Sequence, residues 1–528
     1  MPGEPAMNYN IAQPFFESAQ KYPDKLALFA DGKSYTYRAM LERVLTVANW
    51  LTSGDQPPQR VGIFGSRSAE ACIGVLAAAW VGAAYVPISL KQPELGVAGL
   101  LKRSGLEAVI ADHTGSQLLT PTVLEHAPAK VLTLRESVPT DLVKRVNGFD
   151  DLPPAKRLLQ PKVSADESTA YILYTSGSTG IPKGVMIPSG AVRSFIDTMQ
   201  ADFPISPEDR IAETANVSFD ISVYNMFAAW NGGASLYVIP QAKATAPAKF
   251  IQDHQITTWF SVPSVAVLMI RMGLLKAGAF PSLRYTFFCG EPLLTSVAET
   301  WQSAAPNSQV INMYGPTEAT VMCMGQKYRP GCVTTRDCMA IGRPFPTMQV
   351  AIATARNEFV SQDSEGELLL AGPQLALGYL DDAEKTAARF VNIDGIRWYK
   401  TGDRASCDSH GIFHYLGRVD NQVKIIGHRV ELEDIESHLR DVSGCAHVAV
   451  VAWPIRDGSA TGVVGFVVNY TGSEDDLKQA MQQRVPSYMV PARVHSVKGL
   501  PLNNNGKVDR TALLKVLEED SGALATSV

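Results

Sequence analysis

The sequence predicts an α/β protein, with a large N-terminal body of layered sheets and helices and a small α+β C-terminal unit. Two observations carry this. Through the first four hundred residues, apolar helical stretches alternate with short β-rich runs, as in parallel layers that bind ligands at their strand ends. From about Asn421 the pattern shortens into a separate strand–helix series of roughly one hundred residues, a usual domain size. At 528 residues the chain exceeds what one core accommodates.

Taken in order, Arg60–Gly65 reads as the first buried strand. Ala71–Ile88 is uncharged and about long enough to span a bilayer. It is rich in Ala and Gly and carries Pro87, so a buried helix running into a strand is expected instead. Further strands are expected at Ala108–Ala111, Ser235–Ile239, Thr257–Val262, Tyr285–Cys289 and Gln309–Met313. Asp150–Lys162, rich in proline and lysine, reads as an exposed connection. Ala170–Tyr174 and Gly184–Ile187 flank a polar loop, giving a strand–loop–strand hairpin. In the C-terminal unit, strands are expected at Val423–Ile426, Val448–Val451 and Gly462–Asn469. Helices are expected at Glu431–Leu439 and Asp475–Gln483, followed by a polar loop at Asn503–Lys507.

Composition narrows the function classes. Forty-six per cent hydrophobic and 19% charged is ordinary globular usage. A net charge of −5 without a basic cluster gives no reason to expect nucleic acid. The seven cysteines form no Cys-x-x-Cys pair, which fits unpaired thiols in a reducing compartment. The N-terminus lacks a basic-then-apolar leader, so a soluble, cytoplasmic protein without a membrane partner is expected.

The polar loop is the most specific feature. Tyr174-Thr-Ser-Gly-Ser-Thr-Gly-Ile-Pro-Lys-Gly184 combines hydroxyls (Thr175, Ser176, Ser178, Thr179), glycines (Gly177, Gly180, Gly184) and Lys183. Glycines let backbone N–H groups approach an anion, hydroxyls add donors, and the lysine adds a point charge. This is a phosphate-binding composition. It is not a Walker A loop, and Gly32-Lys33-Ser34 has Ala27 where that motif needs its first glycine.

The loop resembles the phosphate loop of adenylate-forming enzymes, the superfamily of acyl-CoA synthetases, luciferases and peptide-synthetase adenylation domains. Ala78–Ile88 resembles the family's early helix–strand motif, and Phe219–Val223, Asn312–Glu318, Gly366–Leu370, Tyr399–Asp403 and Gly417–Lys424 follow in the family order, with Asn505-Gly-Lys507 closing the series. The resemblance covers nearly the whole chain. It implies an adenylation core at residues 1–419 and a mobile lid at 420–528, with ATP and Mg²⁺ as cofactors. By this resemblance Asn312, Met313, Tyr314 and Gly315, with Gly290, Glu291 and Pro292, lie beside the nucleotide, and Tyr314 stacks on adenine. Thr317 meets the α-phosphate, Glu318 helps hold Mg²⁺, Asp403 accepts the ribose hydroxyls, and Tyr415 and Arg418 line the nucleotide. Lys507 matches the adenylation lysine, Asp420 the hinge, and Lys424 a lysine used in thioester formation.

The resemblance also bears on the acid. Asp220 stands where amino-acid adenylation domains pair a carboxylate with the substrate ammonium; a helix N-cap is the other role its position allows. The remaining pocket positions carry over as Ile221, Tyr224, Ser261, Phe287, Cys289, Met313, Val321 and Met322. They are mostly bulky and apolar, which implies a small neutral side chain: alanine, glycine, serine or proline. Features of D-alanine–carrier protein ligases and of peptide synthetases are both present. No carrier signature follows Lys507, so the expected acceptor is the phosphopantetheine thiol of a carrier protein in trans. An acyl-CoA ligase using free coenzyme A is the alternative, which Asp220 opposes, and a non-catalytic nucleotide-binding scaffold is a third. Two departures stand out: Pro188-Ser189-Gly190 where relatives carry a histidine and a basic residue, and Ile426 in place of an arginine.

Overall fold

The computed structural model describes residues 9–54, 56–134, 146–155, 160–176, 182–241, 247–425, 427–456, 459–502 and 508–525. The chain forms two compact units. The first comprises Met1–Leu90, Leu101–Tyr174 and Gly184–Val419; the second comprises Lys91–Leu100, Thr175–Lys183 and Asp420–Val528.

Two large sheets and the helices around them make the first unit. In the nine-stranded sheet, Gln309–Tyr314, Tyr285–Phe288, Thr258–Ser261, Arg210–Glu213, Ser235–Val238 and Leu26–Ala30 run parallel, and antiparallel strands close both edges. The eight-stranded sheet centres on Thr169–Thr175, Ala84–Pro87, Arg60–Phe64 and Ala108–Ala111. The central strands are short and largely buried, most of them rich in apolar residues, the pattern parallel sheets require. Lys183–Pro188 is the neighbour of Thr169–Thr175, so both flanks of the polar loop are strands. A third, antiparallel sheet is built on Glu365–Ala371 and the long strand Ile396–Cys407. The alternation of helical and β-rich runs did not announce it.

The uncharged stretch folds as the buried helix Ala69–Trp80 followed by the strand Ala84–Pro87. Its helix is apolar all round because protein covers it on every side. Among the described residues no helix is long and apolar enough to cross a membrane.

In the second unit, Val448–Ala452, Val463–Val468 and Arg493–Val497 form one sheet, and Gln422–Ile425 pairs with His428–Glu431 in another. The helices Leu432–Ser443 and Glu474–Gln482 pack Ile435, Leu439, Leu477 and Met481 into its core. Gly444, at φ +67°, ends the first of these helices in the left-handed conformation that favours glycine.

Candidate active site

Parallel strands deliver side chains at their C-terminal ends, and in the first unit these ends carry most of the expected residues. Gln309–Tyr314 leads through Gly315-Pro316 into the short 3₁₀ turn Thr317–Ala319. A Cβ on Gly315 would lie 2.4 Å from the Met322 Cα, so glycine is required there. Asn312 is buried and donates to the Ala340 carbonyl at 2.9 Å, tying the strand end to a neighbouring loop. Tyr314 donates its hydroxyl to Asp403 Oδ2. Burial, and next the Asp403 charge, raise the Tyr314 hydroxyl well above its ordinary value, so it remains a donor.

Asp403 follows Gly402, whose φ of +75° turns the chain. Its second oxygen accepts from Arg418 Nη1 at 2.7 Å. Each oxygen thus holds one donor, and a carboxylate has lone pairs left for two more. Those free acceptor positions fit the two hydroxyls of a vicinal diol such as a ribose. Tyr415 is half-buried on the strand paired with Ile396–Cys407.

Thr317 and Glu318 lie on the short 3₁₀ turn Thr317–Ala319. Glu318 is fully buried and accepts from the Tyr379 hydroxyl at 2.9 Å. A carboxylate oxygen suits a hard cation such as Mg²⁺, so this residue fits the expected metal. The Thr317 hydroxyl donates to Asp220 Oδ2 at 2.8 Å.

Asp220 does occupy the N-cap position of the helix Ile221–Asn231, but its side chain makes no capping bond. Burial raises the hydroxyls of both Tyr85 and Tyr171, followed by the Asp220 charge at Tyr85 and by Tyr85 and then Asp220 at Tyr171; among the described residues neither oxygen has a hydrogen-bond partner. One turn along the helix, Tyr224 is 1% exposed and packs edge-on to Phe260 and Phe287, with centroids 5.7 and 5.4 Å away. Tyr224, Phe287, Cys289, Met313, Val321 and Met322 belong to one buried cluster, with Ile221 packed against it. Ser261 is turned away, accepting from Trp259 Nε1 at 2.9 Å. Gly290 takes φ +97°, and Glu291 accepts from the Ser264 amide at 2.8 Å.

In the second unit, the Ser176 hydroxyl donates to the Arg429 carbonyl at 2.8 Å. Lys183 is buried and pairs with Glu431 Oε1 at 3.5 Å. Thr175 ends its strand, Lys424 is exposed on Gln422–Ile425, and Asp420 begins the unit's C-terminal segment. Gly177, Ser178, Thr179, Gly180, Ile426 and Lys507 lie outside the described residues.

With this geometry in view, the comparisons are specific. The AMP-binding enzyme family matches residues 15–380, and the AMP-binding enzyme C-terminal domain matches 434–507. The chain belongs to the adenylate-forming superfamily, as an adenylation domain of the nonribosomal peptide synthetase type. It is 31% identical to a subunit of mycosubtilin synthase from Bacillus subtilis over 97% of its length, and to tyrocidine synthase 2 of Brevibacillus parabrevis over 97%. The chain spans only 19% and 14% of those two relatives. Among solved structures it resembles the adenylation domain AlmE of Vibrio cholerae, in complex with glycyl-adenosine-5′-phosphate. That match has a TM-score of 0.86 and 30% identity, covering 98% of this chain and 99% of that one. A nonribosomal peptide synthetase protein containing adenylation and PCP domains matches with TM-score 0.80 at 25% identity, over 97% of this chain and 84% of that one. Enzymes of this superfamily use ATP, and the pairing of Asp403 with Tyr314 and Arg418 now has its context.

Some participants escaped the sequence reading. Tyr379 and Gln374 hold the turn bearing Glu318, and Glu213 bonds Asn225 on the Asp220 helix at 3.0 Å. The polar side chain of Asn225 inside the otherwise apolar run Val223–Trp230 was the one signal of that last pair.

Proposed function

We propose that this adenylation domain activates a small neutral amino acid, of the glycine, alanine, serine or proline class, as aminoacyl-AMP. It then passes the acyl group to the phosphopantetheine thiol of a separate carrier protein. The observation that carries the reading is the Asp220 side chain, which leaves its helix N-terminus uncapped and bonds Thr317 instead. A carboxylate held by Thr317 at the edge of an apolar cluster is suited to receive a cation, and an α-ammonium is such a cation. Tyr224 and Phe287 fill the space beyond, which favours short side chains. The glycyl adenylate bound by AlmE supports the same class.

Asp403 is assigned the ribose, Glu318 the Mg²⁺, and Lys183 with Thr175 and Ser176 the phosphates. Mg²⁺ would neutralise phosphate charge when bound. Lys507 is assigned the adenylation step, where a cation acts chiefly on the charge of the transition state. Asp420 is the proposed hinge. ATP–pyrophosphate exchange across the proteinogenic amino acids, D-alanine, acetate and propionate tests this. Exchange with one small amino acid and none with the amine-free acids is the expected result, and exchange driven by acetate or propionate alone would refute it.

A further inference from the structure

The turn that follows Glu318 is held in an unfavourable shape. Thr320 and Val321 adopt φ of +56° and +69°, the left-handed region where a β-branched residue is an outlier. Such conformations persist only where surrounding contacts over-determine them, and they cluster at ligand sites.

The contacts come from the segment 374–379, with the Gln374 side chain at their centre. Gln374 is fully buried, and its Nε2 donates to the carbonyls of Met322 at 2.9 Å and Ala319 at 3.3 Å. In return the Thr320 hydroxyl donates to the Gln374 carbonyl at 2.7 Å. The same segment bonds Glu318 twice, through the Ala376 amide to its carbonyl at 2.8 Å and through the Tyr379 hydroxyl to its carboxylate at 2.9 Å. Gln374 Oε1 is buried and has no hydrogen-bond partner among the described residues. A side chain that served packing alone would be better replaced by an apolar residue of similar size. Its donor atom, aimed at the strained turn, is what such a replacement loses.

We infer that Gln374 is a positioning residue: by bonding the Ala319 and Met322 carbonyls it clamps Thr320 and Val321 in the left-handed conformation between them and so shapes the wall facing the substrate side chain. The inference rests on the amino-acid reading above. Without the clamp, Val321 relaxes towards negative φ, and the wall that Val321 and Met322 form is displaced. Glycine at position 321 carries no such penalty, which leaves only Thr320 strained, tied by its hydroxyl to the Gln374 backbone carbonyl.

The test is a double-mutant cycle in the full chain with Gln374→Leu and Val321→Gly, measuring pyrophosphate exchange. Gln374→Leu should raise the KM for the preferred amino acid about tenfold, the effect of releasing one strained residue, and leave the ATP KM within about twofold. In the Val321→Gly background the same substitution should change the amino-acid KM by less than about threefold. A parallel rise in both KM values, or the same effect in both backgrounds, overturns the clamp. If the unsubstituted enzyme exchanges with no amino acid, the substrate reading fails by itself. The cycle is then read in denaturant midpoints, where equal losses in the two backgrounds overturn the clamp. Thr320→Val, which removes only the hydroxyl bond to Gln374, gives a milder variant should Gln374→Leu fail to fold; an unchanged amino-acid KM there also counts against it.

Discussion

Replacing Asp220 by asparagine removes one charge while keeping the shape and an oxygen that can still accept from Thr317. The bond it preserves is the 2.8 Å contact from the Thr317 hydroxyl, so the turn carrying Glu318 should be undisturbed. An ammonium about 4 Å from a carboxylate gains about 4 kcal/mol at an effective dielectric of about 20. Asp220 is half-buried, so solvent screening and residual hydrogen bonding reduce that to about 3 kcal/mol. At 1.36 kcal/mol per decade, kcat/KM for the amino acid should fall on the order of a hundredfold. The assay is pyrophosphate exchange with glycine or alanine and with acetate, on Asp220→Asn and the unsubstituted enzyme. The amino-acid rate should collapse, acetate should remain inactive or gain a measurable rate, and the ATP KM stay within about threefold. A loss below about threefold for the amino acid would show that the carboxylate does not receive the amine.

Three other outcomes are expected. Tyr224→Ala opens the cluster formed with Phe260 and Phe287; exchange should shift towards larger side chains such as valine or leucine, at a stability cost of about 3–5 kcal/mol seen in denaturant melts. Lys507→Ala should abolish exchange while ATP binding, followed by calorimetry, survives within a few-fold; near-normal exchange would remove the lysine from the reaction. Glu213 supplies a pH signature: burial pushes its carboxyl up to about 8, against the lowering effects of the Asn225 side chain, the Ala215 amide and Arg67. A carboxyl raised above its unfolded value contributes most at low pH, and that contribution fades as pH rises from about 4.5 to about 8. Glu213→Gln keeps an acceptor for Asn225 and abolishes this slope. Its stability relative to the unsubstituted enzyme should therefore climb across that window by up to about 1.4 kcal/mol per pH unit; parallel pH profiles would contradict the assignment.

Local sequence signals reached the central strands closely. Ala108–Ala111 is a strand over the expected residues, and Tyr285–Phe288 stops one short of the expected run. Both are buried runs of apolar residues, where composition and environment agree. The antiparallel sheet built on Glu365–Ala371 and Ile396–Cys407 was not legible, because its pairing joins segments some thirty residues apart and is fixed by the partners, not by either strand alone. The site shows the same division. Asp220, Thr317, Glu318 and Asp403 stand in motifs whose residue types the chemistry demands. The groups that hold them do not: Gln374 could have been any surface glutamine, and Tyr379 any core tyrosine. Their meaning comes from what the chain brings alongside.

That difference has a physical basis which extends to substrate choice. A side chain that touches ligand must carry a particular charge or donor, and so leaves a mark in the sequence. A side chain that fixes backbone shape can act through any carbonyl within reach, as Gln374 does on Ala319 and Met322. Selectivity among glycine, alanine and serine turns on differences of a few heavy atoms, worth only about 1–3 kcal/mol in a hydrophobic pocket. On the proposed reading, a wall strained at Val321 by a similar amount would be poised to decide among them. Tyr224 would then set how long a side chain fits, and the clamp on Val321 how closely the wall meets it.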